Sequence, residues 1–116
     1  MKCETFQFSQ INFTETVLKN EIIKYGNVVQ VEFDGHRASG YTIPNYEQGY
    51  SLCSLPSHIK LNRNITVAGF LYKTNDASKK YIDFVIENGN IFVAPNIETT
   101  NYNGMKLYFV FICDNP

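Results

Sequence analysis

The chain has 116 residues and a net charge of -1, with 10 Lys and Arg against 11 Asp and Glu. That length suits one ordinary domain and not two, and 44% hydrophobic residues exclude disorder over most of it. The lysines are scattered, with only Lys79 and Lys80 adjacent, which argues against a phosphate-tracking surface and a nucleic-acid partner.

No apolar run approaches the roughly 18–20 residues of a membrane helix, so no membrane insertion is expected. Met1-Lys2 leads into Cys3, Glu4 and Thr5, not into the apolar segment of a signal peptide. The cysteines Cys3, Cys53 and Cys113 are odd in number and lack C-x-x-C spacing. They form neither a disulfide framework nor a zinc set. Cys53 and Cys113 read as small apolar fillers on strands, and free thiols suit a reducing cytoplasm.

Strand signals dominate the chain. Phe6-Gln7-Phe8 alternates, and an odd step to Ile11 and Phe13 marks a bulge or turn. Residues 14–24 carry a weak helical spacing through Val17, Leu18 and Ile22 without a cap. A short helix there is the alternative to strand, and a short strand is expected over Ile22–Tyr25. Gly26-Asn27 makes a tight turn, and Val28–Phe33 alternates as a strand with one wet face, ended by Asp34-Gly35. Residues 34–49 are irregular and rich in tyrosine. Short strands follow at Tyr50–Leu55, closed by Pro56, and at Ile65–Tyr72, where Gly69 suggests a bulge.

A polar tip at Thr74–Ser78 precedes the strand Tyr81–Ile86. Asn88-Gly89 is the strongest hairpin signal in the chain, and Ile91–Ala94 returns from it. A polar loop from Asn96 to Gly104 leads into the last strand, Met105–Cys113. In that strand Leu107, Phe109 and Phe111 face one way and Tyr108, Val110 and Ile112 the other. Such a strand is either central or covered by another subunit. These elements predict a single all-β domain over residues 1–116, an antiparallel, jelly-roll-like β-sandwich of about seven to eight strands. Residues 1–20 form an N-terminal strand or arm that completes its own sheet or a neighbour's.

Catalytic motifs are missing. The two histidines, His36 and His58, lie twenty-two residues apart without a nearby Cys or Asp cluster, which makes no zinc site. No nucleophile motif, Walker loop or dinucleotide fingerprint occurs. The carboxylates Glu32 and Asp83 fall on the wet faces of ordinary strands. The sequence therefore predicts no enzyme, no cofactor and no metal. What does ask for a partner is tyrosine in loops, whose flat apolar face and hydroxyl suit a sugar ring or a protein surface. The candidate ligand-binding residues are His36, Tyr41, Asn45, Tyr46, Glu47, Tyr50 and Tyr102. Packing of these tyrosines over the sheet edge is the competing explanation.

The order of pieces from Ile22 to Cys113 resembles the C-terminal β-sandwich heads of phage and prophage tail-fibre, baseplate and minor structural proteins. Tyr25-Gly26-Asn27-Val28-Val29 resembles the opening strand pair of that family, and Ser51-Leu52-Cys53-Ser54-Leu55-Pro56 its strand ending in Leu-Pro. Ile82–Val93 with its Asn88-Gly89 turn, and the aromatic strand Leu107–Phe111, match the rest. The resemblance implies a receptor-binding or tail-tip module of the virion, assembled in the bacterial cytoplasm. It also implies a homo-oligomer, with a trimer favoured, that recognises a cell-surface saccharide or protein. No helical or collagen-like stalk is expected ahead of the domain, a departure from the family. A virion assembly subunit without its own ligand, and a small protein-binding or inhibitor domain, are the alternatives.

Overall fold

The structure, a computed structural model, describes residues 2–116. Its strands are β1 (Cys3–Phe6), β2 (Thr16–Tyr25), β3 (Val28–His36), β4 (Cys53–Ser54), β5 (Ile65–Tyr72), β6 (Lys79–Glu87), β7 (Asn90–Val93) and β8 (Gly104–Ile112). All pair antiparallel in the order β1-β2-β3-β8-β5-β6-β7-β4. The all-β class and the strand number are those the sequence predicts. The layering differs in one respect. The strands hydrogen-bond in one continuous sheet that curls around its core, because β8 pairs with β3 on one side and with β5 on the other. No helix among the described residues is long and apolar enough to cross a membrane.

Alternation decides which face each strand buries. Val29, Val31 and Phe33 of β3, Leu107 and Phe109 of β8, and Phe84 and Ile86 of β6 all point into the curl. A buried Phe or Leu side chain of this kind stabilises the fold by roughly 1.5–3 kcal/mol. The β6–β7 hairpin turns on Asn88 (φ 52°) and Gly89 (φ 78°). Both are left-handed, as the primed turn of a two-residue hairpin requires.

The curl is fastened by the segment after β1. Asn20 on β2 donates from its side-chain amide to the Phe8 carbonyl at 3.1 Å and accepts from the Phe8 amide at 2.7 Å. One side chain thus supplies what a paired strand would. Ser9 then bridges to Ser54 of β4 through two backbone hydrogen bonds of 3.0 and 2.8 Å. The Asn12 amide adds another to the Leu52 carbonyl at 3.1 Å. Phe8 and Phe13 seal that end of the core from this segment.

Several local expectations change. No helix forms over 14–24; β2 runs as a strand of ten residues. Its pairing with both β1 and β3 outweighs the weak helical spacing. β3 continues past Asp34-Gly35 to His36 because β8 offers partners to that point, with His36 opposite Gly104. The strand expected at Tyr50–Leu55 shrinks to Cys53–Ser54, since β7 pairs only those two residues. β1 stops at Phe6, where the Asn20 amide takes over.

Gly69 makes no bulge and stays in register with Ile82 and Leu107. Its lack of a side chain matters for another reason. A Cβ there would lie 2.7 Å from the Lys106 carbonyl oxygen and 2.8 Å from the Phe84 ring, so the close approach of β5 to β8 excludes one. β1 pairs with β2 of its own chain; of the expected N-terminal arm, only Met1 lies outside the described residues. Cys53 and Cys113 are both buried, as fillers should be, although Cys113 lies just past the end of β8.

Candidate functional site

The seven residues singled out from the sequence do not converge. Tyr41 is exposed and lies under the Arg37 guanidinium, 4.1 Å from its ring centroid. The run beyond it follows the 99–103 loop, with the Ile43 amide on the Tyr102 carbonyl at 2.9 Å. Tyr102 packs against the core with Lys73 over its ring at 4.9 Å, and Tyr50 packs against the core as well. Tyr46 sits elsewhere, edge-on to Phe92 of β7 with its hydroxyl on Glu87. That carboxylate, as hydrogen-bond partner, raises the Tyr46 phenol above its ordinary value. Glu47 is exposed on the 3-10 turn, Tyr46–Gln48, and Asn45 precedes it with its buried side-chain oxygen unpartnered. These side chains mostly pin the long loops down. His36 alone of the seven lines a groove described next.

That groove system is built on the outer face of β3, β8, β5 and β6 by register. One row across the strands brings Asp34 opposite Lys106, Lys106 opposite Phe70, and Phe70 opposite Tyr81. The row on one side pairs Glu32 with Tyr108 and Ala68 with Asp83. The row on the other pairs His36 with Gly104, Gly104 with Tyr72, and Tyr72 with Lys79. Ala68 leaves a dip between larger neighbours, and Gly104 leaves the room that the Tyr72 ring takes up.

The dip over Ala68 opens into a groove of about 570 Å³ walled by Phe70, Tyr81 and Tyr108, with Asp83, Lys106 and Ile97 at its margin. Tyr81 is 77% exposed and Tyr108 60%, so much of each side chain is open to solvent. Phe70 and Tyr81 lean together at 5.3 Å between centroids. Gln30 from β3 lies within 3.5 Å of the Tyr108 hydroxyl.

A second groove, of about 470 Å³, adjoins the first and shares Phe70 and Lys106 with it. Here the Tyr72 ring lies across Gly104, whose absent Cβ would fall 2.3 Å from it. The ring can therefore reach β3, where its hydroxyl donates to Asp34 at 2.7 Å. The His36 Nδ1 stands 3.5 Å from the same hydroxyl. Burial first, and the Asp34 carboxylate second, push the Tyr72 phenol well above its usual range. Lys73 and Lys79 stand on the rim, Lys79 over the Phe70 ring at 5.1 Å.

Chemically the face offers flat apolar rings, hydroxyls, carboxylates and ammonium groups. Among the described residues no three His, Cys, Asp or Glu side chains cluster as a metal site would need. The sequence held one signal for this face. Tyr81 and Asp83 occupy the wet positions of β6, and Tyr108 the outward positions of β8. Their juxtaposition depends on strand order, which periodicity alone does not carry. The chain matches no family model, no curated protein and no solved structure.

Proposed function

We propose that the chain is a non-catalytic binding module whose outer sheet face takes a sugar ring of a cell-surface saccharide. The observation that carries this is the trio Phe70, Tyr81 and Tyr108 around the Ala68 dip. Two of the three are far more exposed than large aromatics in a well-packed domain usually are. Aromatic faces stack on the C–H faces of pyranose rings, while Asp83 and Lys106 suit the flanking hydroxyls. The resemblance to phage and prophage tail heads supports placing such a module at a tail tip, as a receptor-binding element of a virion.

The test is a glycan array probed with the labelled chain, followed by calorimetry on any saccharide retained. Tyr81→Ala and Tyr108→Ala should each weaken that binding by roughly tenfold or more with an unchanged urea midpoint. Tyr46→Ala, on the far loop, should leave it alone. Binding that survives both groove substitutions would refute the assignment.

A second reading, a subunit that assembles with its own copies, is favoured by a separate strip. Tyr25, Val28, Val110 and Ile112 are exposed together on β2, β3 and β8, with Val28 opposite both Tyr25 and Ile112. A trimer, as the tail-head resemblance implies, would give the strip something to cover it.

A further inference from the structure

Asp34 and Lys106 face each other directly across β3 and β8, a position where opposite charges ordinarily pair. They do not pair here. Asp34 accepts the Tyr72 hydroxyl instead, and among the described residues Lys106 has no carboxylate within ion-pair distance. Lys79 and Lys73 are likewise without ion pairs, although the Lys73 charge is felt by Asp76, which is held by Ser78. Asp83 is the carboxylate of the aromatic groove, while the second groove is lined by three lysines against one carboxylate, Asp34. It runs into the aromatic groove at Phe70 and Lys106. The whole chain carries a net charge of -1, so this excess of positive charge is local and not a general basicity.

We propose that the two grooves act as one site for an acidic saccharide. A sugar ring lies in the Ala68 dip, and the anionic group of the same or the next residue lies among Lys106, Lys79 and Lys73. This rests on the saccharide reading above and adds the charge of the ligand to it. Tyr72 is the positioning residue: by holding one Asp34 oxygen it keeps that carboxylate from forming an ion pair with Lys106 at the junction of the grooves.

The experiment compares matched neutral and acidic oligosaccharides, oligogalactosides against oligogalacturonates and hexoses against hexose phosphates, on the intact chain at low salt. The acidic member of a bound pair should be held about tenfold more tightly, and the advantage should collapse near 0.5 M NaCl as screening takes over. The double variant Lys79→Gln/Lys106→Gln should abolish the preference for the acidic member, even where the loss of Lys106 from the hydroxyl contacts also weakens the neutral one. Its lysines are not part of the core, so its urea midpoint serves as the control for folding. Tyr72→Phe, which frees Asp34 to form an ion pair with Lys106, should lower the preference without removing neutral binding. Equal binding of both members, or a preference that survives the double variant, would overturn the acidic assignment and leave the saccharide reading standing. Failure to bind any member of either class would overturn both. A preference for the hexose phosphates over the uronates would identify phosphate as the anionic group within the same site.

Discussion

At the scale of single residues, Tyr72 ties two consequences to one hydroxyl. It anchors the β5 end to β3 through Asp34, and its proton is harder to remove in the folded chain than in the unfolded one. A raised folded value means that the stabilisation is complete below the unfolded tyrosine pKa of about 10. It is lost as pH climbs from there through the folded value. Wild type should therefore exceed Tyr72→Phe in urea midpoint at pH 8, and the gap should narrow steadily above about pH 10. A gap that stays constant up to pH 11.5 would show that the phenol proton plays no such part. Sequence could not single Tyr72 out, because nothing local distinguishes it from Tyr81. Only the glycine at position 104, two strands' worth of sequence away, lets its ring lie flat.

At the scale of elements, the long loops are held by side-chain amides acting as extra backbone. Asn103, almost fully buried just before β8, donates to the Arg37 carbonyl at 2.6 Å and to the Thr74 hydroxyl at 2.8 Å. It also accepts from the Thr74 amide at 3.1 Å. It thereby joins the end of β3, the β5–β6 tip and the start of β8. Asn103→Ala should cost about 2–4 kcal/mol, since it leaves buried partners unsatisfied, and urea denaturation would read the loss directly. A cost below about 0.5 kcal/mol would mean that water replaces the amide without penalty.

Much at this scale was legible beforehand. The alternation of β3 and β8, the Asn88-Gly89 turn and the bounds of β5 follow from patterns of two and from turn chemistry. β2 did not, because its first half is wet on both faces and shows no alternation to read. The loop tyrosines were legible as residues needing a surface, and the surface that several of them found was the protein's own.

At the scale of the molecule, the outer face divides into a groove region over β3, β5, β6 and β8 and an apolar strip at the other end of β2, β3 and β8. Tyr108 stands at their boundary. If copies associate through the strip, light scattering after size exclusion should return three times the 13.3 kDa chain mass. Val110→Lys with Ile112→Lys should return that of a single chain, because two charges replace apolar contacts that a partner would have to cover. A wild-type chain that stays monomeric at high concentration would remove the assembly reading. Strand order was the level that periodicity could not reach. It is fixed by which apolar faces meet over the length of the chain, and it alone brings Tyr108, Phe70 and Tyr81 together.

The central place of β8 has a consequence in time. β1, β2 and β3 pair among themselves, as do β5, β6 and β7, and apart from the short bridge from Ser9 to β4 the two groups share no pairing until β8 lies between them. A ribosome delivering this chain releases two hairpin assemblies with open inner edges and must finish residue 112 before either can be capped. Folding is then a late, single event, exposed until its end to whatever else offers a strand.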